Sequence, residues 1–249
     1  MQSFSVEGSA KVLINETQLQ EYRRDGALRI EKAVPADTIK TLLEHIDQLI
    51  NSDQDRWTTI RQGGGYSDRY LWPSNAWMYD FCAHSNLPAI AGQLMESRSA
   101  RLYFDHIFFR DAGTRQKTPW HQDRPYWPFQ GQQIASVWVA LEGCTLQSGV
   151  LSFVAGSHRW GKVFAPTAFS KTAGSAEFLQ SESAYSESMP DIDAEPEKYR
   201  VLRWDMTPGD VLVFGGETIH GAAENNDMSQ RRAAMSVRYV GDDARWDPR

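Results

Sequence analysis

The chain has 249 residues, 41% hydrophobic and 12% aromatic, with a net charge of −6. That is ample apolar content for one large folded domain, and the mixed, slightly acidic surface argues against nucleic acid as the main partner. No stretch approaches the roughly 18 consecutive apolar residues of a membrane span, and residues 1–11 lack the basic start and apolar run of a secretion signal. The two cysteines, Cys82 and Cys144, have neither metal-type nor disulfide-framework spacing. The expectation is a cytoplasmic protein, monomer or homodimer, that acts on a small molecule without nucleic acid or membrane.

In chain order, residues 17–24 read as a short helix closed by Gly26. Asp37 then stands as the N-cap of a second helix. Its Ile39, Leu42, Leu43, Ile46, Leu49 and Ile50 recur at helical spacing and form one apolar stripe. Residues 61–67, with Gly63-Gly64-Gly65, lack the Lys-Ser/Thr of a phosphate loop and read as a flexible loop. From 101 onward the pattern changes to short strands at 101–110, 134–141, 150–154, 210–214 and 233–240. Pro208-Gly209-Asp210 marks a turn before one of them. Residues 169–200, rich in Ser, Glu, Asp and Pro, break the rhythm and read as a lid or insert.

Helices first and strands afterwards predict a mainly β fold with flanking α-helices, its jelly-roll or barrel core preceded by N-terminal helices. One domain over 1–249 is expected, with a helical flank at about 15–100 and a β core at about 101–241.

Within the core, Trp120-His121-Gln122-Asp123 is followed far downstream by Thr218-Ile219-His220-Gly221. Residues i and i+2 of a strand project to one face, so His121 and Asp123 can share an ion, and a β core brings His220 opposite. Two imidazoles and one carboxylate hold one face of a non-haem Fe(II) and leave the other open for substrate, co-substrate and O2. His45 and His84 have no such partners.

A dicarboxylate chelating that iron needs its far end held, which arginine does bidentately. Arg232, Ala234, Ser236 and Arg238 share one strand face by alternation, and Arg231 belongs to the other. Arg232 is the favoured anchor and Arg231 its competitor.

At this point the chain resembles the phytanoyl-CoA dioxygenase family of Fe(II)- and 2-oxoglutarate-dependent oxygenases. The matching segments are Trp120-His121-Gln122-Asp123, 136–141, 149–158, Pro208-Gly209-Asp210 running to His220-Gly221, and 231–243, together with Tyr22-Arg23-Arg24-Asp25-Gly26 near the start. The resemblance implies a double-stranded β-helix, a cupin-like jelly roll, with iron held by His121, Asp123 and His220. It implies 2-oxoglutarate contacts from Trp138 and His106 as well as the arginine. It places His158 outside the iron ligands, as a structural or rim residue. The carboxylate at Asp123 favours oxygenation over halogenation, because halogenating relatives carry a small residue there.

The implied reaction oxidises a C–H of a metabolite by hydroxylation, ring closure or desaturation and releases succinate and CO2. Tyr126, Trp127 and Trp160 are the candidates on the substrate side. No concentrated basic patch of the kind a CoA phosphate favours is visible, so a small secondary metabolite is the expected substrate. Two other readings stay open: a cupin-like metal enzyme that uses no 2-oxoglutarate, and a non-catalytic β-sandwich that binds carbohydrate.

Overall fold

The computed structural model describes residues 3–5, 13–52, 61–62, 64–166 and 187–247. Among the described residues of its first part the α-helices are α1 (Glu16–Asp25), α2 (Ala36–Ser52), α3 (Ala76–His84) and α4 (Leu87–Leu94). Among the described residues the strands are β1 (Ser3–Ser5), β2 (Ala27–Ile30), β3 (Arg61–Gln62), β4 (Gly65–Arg69), β5 (Ser99–Arg110), β6 (Thr118–His121), β7 (Phe129–Gln130), β8 (Ile134–Ala140), β9 (Leu151–Val154), β10 (Val201–Arg203), β11 (Val211–Gly215), β12 (His220–Ala222), β13 (Arg232–Val240) and β14 (Arg245–Trp246). None of the described helices is long and apolar enough to cross a membrane.

The starts and ends of the first helices follow from local chemistry. Asn15 caps α1 by accepting from the Gln18 backbone N–H, and the Gln18 side chain returns the bond to the Asn15 N–H. Gly26, at φ 78°, takes the left-handed closing position. In α2 the apolar stripe is present and buries Ile39, Leu42 and Ile46. Asp37 is not its N-cap. The Pro35 carbonyl already accepts from the Ile39 N–H, so Asp37 lies in the first helical turn, where its charge faces the helix N-terminus.

The strands form two antiparallel sheets. The larger runs β2-β11-β8-β13-β5-β4-β3, with β1 paired to the start of β5; the smaller runs β10-β9-β12-β6. A third pair, β14 with β7, lies apart from both. Alternation gives each central strand of the larger sheet two buried faces, which is why β8 reads as an unbroken apolar run. Outward, Val137, Val139, Val213, Met235 and Val237 pack with Ile46, Phe81, Leu87 and Ile90 of the helices. Each such large apolar side chain contributes about 1.5–3 kcal/mol by burial. Inward, Trp138, Ala140, Phe214 and Ala234 meet Leu151, Phe153 and Ala222 of the smaller sheet. This is the jelly-roll core, flanked by helices, that the order of elements predicts.

The glycine-rich stretch at 61–67 is not a free loop in its described part: β3 and β4 pair as the edge of the larger sheet. Gly65 fits there because a Cβ would lie 2.5 Å from the Phe109 carbonyl oxygen. Of the expected insert at 169–200, residues 169–186 lie outside the described residues. Residues 187–200 lay Met189, Ile192 and Tyr199 against Trp120 and Ile219, and the Trp120 Nε1–H donates to Asp193 at 3.0 Å.

The turn at Pro208-Gly209-Asp210 ties β11 to the edge strand β2. Gly209 has φ 91°, and a Cβ there would collide with the Val34 carbonyl oxygen. The Asp210 carboxylate accepts from the Thr207 N–H at 2.9 Å, the Lys32 N–H at 2.8 Å and the Arg29 guanidinium at 3.0 Å.

Candidate metal centre and co-substrate pocket

His121 closes β6 and His220 opens β12, and the two are direct partners in the antiparallel register. Their ring centroids lie 4.1 Å apart. Asp123 reaches them differently from the expected strand alternation. The strand ends at His121, and Asp123, at φ −73° and ψ −37°, leads into the 3-10 turn Arg124–Tyr126. That bend brings its Oδ1 to 3.6 Å from His121 Nε2 and 3.8 Å from His220 Nε2. The three ligand atoms lie within 4.8 Å of one another, and all three residues are buried.

Backbone carbonyls orient both imidazoles. His121 Nδ1 lies 2.8 Å from the Pro119 oxygen and His220 Nδ1 lies 2.9 Å from the Thr218 oxygen. A carbonyl only accepts, so Nδ1 carries the proton and Nε2 offers its lone pair towards Asp123. Burial and the neighbouring His121 push His220 down to about 3, so its ring is neutral at physiological pH. Burial raises the Asp123 carboxyl, and the positive charge of Arg238 works against it. Two imidazole nitrogens and a carboxylate oxygen suit Fe(II). The described thiols offer no competing soft ligand, since burial pushes Cys144 up to about 12 and Cys82 upward as well.

Residue Ser136, which the sequence reading did not single out, completes the centre. Its hydroxyl donates to Asp123 Oδ2 at 2.8 Å and leaves Oδ1 turned to the imidazoles. Phe214 lies beside His220, ring centroids 4.5 Å apart and tilted by 51°.

Alternation along β13 places Arg232, Ala234, Ser236 and Arg238 on the inner face, opposite Arg110, Phe108, His106 and Phe104 of β5. Arg232 is 5% exposed. One guanidinium nitrogen of Arg232 donates to the Gly149 carbonyl, and among the described residues its Nε–H has no acceptor. The Ser236 hydroxyl is likewise buried without a partner among them. Two orphaned polar groups on one buried face cost free energy unless a ligand meets them. Burial pushes Arg232 down to about 10, which still leaves it charged. Arg231 faces outward instead. It pairs with Glu142 at 3.0 Å and Asp47 at 3.2 Å, which removes it as the competing anchor.

Trp138 lies on the same inner face, 4% exposed, beside Ser236 in the register. The His106 ring lies 3.9 Å from that of Phe108, tilted by 38°, and burial with Arg238 and Arg69 nearby pushes it well below its ordinary value. Tyr126 meets His121 edge-on at 6.1 Å. Trp127 is buried against Tyr103 and Phe104. Trp160 does not join them: it is 37% exposed and rests on Tyr199 and Phe164, with the group that covers the outside of the smaller sheet. His158 Nε2 lies 3.2 Å from the Arg23 carbonyl oxygen. A surface cavity of about 290 Å³ beside His158 and a groove of about 620 Å³ beside His45 and Trp77 are not lined by the triad.

The family model described as Phytanoyl-CoA dioxygenase (PhyH) matches residues 22–233. A protein named phytanoyl-CoA dioxygenase from Arabidopsis thaliana is 26% identical over 167 residues, which cover 67% of this chain and 54% of that one. The chain thus spans about half the length of that relative. A probable alpha-ketoglutarate-dependent hypophosphite dioxygenase from Stutzerimonas stutzeri is 22% identical, over 91% of this chain and 79% of its own. Among solved structures, the alpha-ketoglutarate-dependent carbocyclase SnoK of nogalamycin biosynthesis superposes with a TM-score of 0.73 at 18% identity, covering 98% of this chain and 89% of that one. The epimerase SnoN, solved with Fe3+, alpha-ketoglutarate and nogalamycin RO, gives 0.71 at 19%, covering 94% and 86%.

Proposed function

Since the chain belongs to the phytanoyl-CoA dioxygenase family, we propose that it is a non-haem Fe(II)- and 2-oxoglutarate-dependent oxygenase. Its reaction is oxidation of an unactivated C–H of a small metabolite, by hydroxylation, ring closure or desaturation, in secondary metabolism. The observation that carries the reading is the His121, Asp123, His220 cluster together with donors from Arg232 and Ser236, on the inner face of β13, that have no partner among the described residues. The secondary-metabolism setting is supported by the fold shared with enzymes of nogalamycin biosynthesis.

His121 Nε2, His220 Nε2 and Asp123 Oδ1 would hold the iron, and Arg232 with Ser236 would hold the far carboxylate of 2-oxoglutarate. When bound, iron and 2-oxoglutarate supply the oxidising chemistry: O2 is reduced, the co-substrate leaves as succinate and CO2, and a substrate C–H is oxidised. The chain supplies position and dryness. Ser136 and the two carbonyls fix the ligand atoms before metal arrives. Trp138, Phe153 and Phe214 exclude water from the inner side. His106, held neutral, faces the same space as Ser236 and can exchange a hydrogen bond with the co-substrate. Tyr126 and Trp127 stand on the substrate side.

Anaerobic titration with Fe(II) and then 2-oxoglutarate tests the proposal. A visible metal-to-ligand charge-transfer band is expected in the wild type and its loss in His121→Ala. Iron binding without the band sinks the 2-oxoglutarate reading.

A further inference from the structure

A second guanidinium on the inner face has no task in that scheme. Arg238 is 6% exposed, six residues beyond Arg232 on the same side of β13. At about 3.3 Å per residue their Cα atoms are about 20 Å apart, with Ala234 and Ser236 between. Its Cα partner across β8 is Ser136, the residue that orients Asp123. Arg232 therefore marks the far end of the wall and Arg238 the metal end.

The surroundings of Arg238 are aromatic. Its guanidinium carbon lies 4.7 Å from the Phe104 ring centroid and 5.7 Å from that of Phe108. One Nη donates to the Ser236 carbonyl at 3.3 Å, and the Nε–H has no acceptor among the described residues. Among the described residues no carboxylate pairs with it. Asp123, the first of the opposite charges acting on it, is committed to Ser136 and to the metal. Asp105, the next, spends both oxygens on the Leu71 and Trp72 N–H groups at 3.1 and 3.0 Å. A buried guanidinium without a counter-charge is costly, so a chain that keeps one on the face beside the metal ligands holds it for a ligand.

We infer that Arg238 receives a carboxylate of the organic substrate, so that the enzyme oxidises a small monocarboxylic acid. The acid group lies on the free Nε edge, whose two parallel N–H bonds match a carboxylate fork. The carbon skeleton lies along Phe104 and Phe108, with the reacting C–H beside His121 and Asp123. This rests on the oxygenase reading above, since it assigns Arg232 to 2-oxoglutarate.

The test uses the full chain, saturated anaerobically with Fe(II) and 2-oxoglutarate, and benzoate as the probe. Saturable perturbation of the charge-transfer band is expected with benzoate and not with the neutral isostere benzamide. Arg238→Met keeps the length and the ring contacts. It should bind 2-oxoglutarate within about threefold of the wild type and lose benzoate affinity by roughly tenfold or more. Arg238→Lys, which keeps the charge without the fork, should fall between them and serves if the methionine variant fails to fold. Failure of the wild type to form the band at all strikes the oxygenase reading itself. With the band intact, three results overturn the carboxylate assignment: no response to benzoate, an equal response to benzamide, or displacement of 2-oxoglutarate by benzoate. So does loss of 2-oxoglutarate binding in Arg238→Met, which would hand Arg238 to the co-substrate.

Discussion

The Ser136 hydroxyl donates to Oδ2 of Asp123 at 2.8 Å, and this one bond decides which carboxylate oxygen faces the imidazoles. Asp123 stands on a turn, where neighbouring side chains restrain it less than a strand would. Removing the hydroxyl frees its rotation without touching a ligand. Ser136→Ala should weaken Fe(II) affinity by about 10–100-fold and leave the fold intact. Metal titration followed by iron-specific absorbance checks it, and unchanged affinity would show that Asp123 is held by other means.

Arg231 and Arg232 should separate cleanly. Arg232→Met is expected to raise the 2-oxoglutarate dissociation constant by about tenfold to a hundredfold, the loss of one buried charge-assisted pair. Arg231→Met should leave that constant alone and cost roughly 1 kcal/mol of stability, because its ion pairs with Glu142 and Asp47 are about a third exposed. Equal effects on co-substrate binding would contradict the two-faced arrangement.

Gly149 couples the co-substrate pocket to the loop after β12. Its φ is 75°, its carbonyl accepts from Arg232, and a Cβ would collide with the Ala223 carbonyl oxygen. Gly149→Ala is expected to cost about 2 kcal/mol or more by left-handed strain and displacement. It should also weaken 2-oxoglutarate binding, because the carbonyl that aims Arg232 must move. Thermal melts and the anaerobic titration read the two effects separately.

Asp210 carries an acid-sensitive share of the stability. Burial alone raises its carboxyl, but the Thr207 and Lys32 N–H groups and Arg29 outweigh it and hold the folded value below the ordinary 3.8. A depressed folded value means that the contribution is fully present above the unfolded carboxylate range and is lost as pH falls through the folded value. Asp210→Asn should cost about 2 kcal/mol near neutrality. The gap to the wild type should close in melts taken at increasingly acid pH; a gap that stays constant with pH would rule out the ionised carboxylate as its source.

Legibility in the sequence followed the strength of local periodicity. α1 carries caps and α2 a clean apolar stripe, and β5, β8, β11 and β13 are long or β-branched enough to stand out. α3 and α4 were missed because each is short and buries residues on most sides, such as Met78, Phe81, Cys82 and Ala83 in α3, so no single stripe forms. β6 and β12 hold four and three residues, too few to show alternation. The ligand trio was legible because its residue types are rare together. The bend that delivers Asp123 was not, since it depends on where β6 stops pairing. Ser136 was hidden because a serine in an apolar run carries no sign of its partner. For Arg238 the signal existed: it shares the alternation of Arg232, and a second arginine on a buried face asks for an anion.

Identical side chains at 231 and 232 have opposite fates because β13 is read in one frame. That frame is pinned from outside the pocket, by Met235 and Val237 under the helices and by the Tyr239 hydroxyl donating to the Cys82 carbonyl of α3 at 2.5 Å. A slip of one residue would leave a sheet with as many hydrogen bonds but would present Ala233, Met235, Val237 and Tyr239 to the cavity. Residues such as Cys82 and Leu87, far from any ligand, thereby act as the index mark that tells this enzyme which arginine is which.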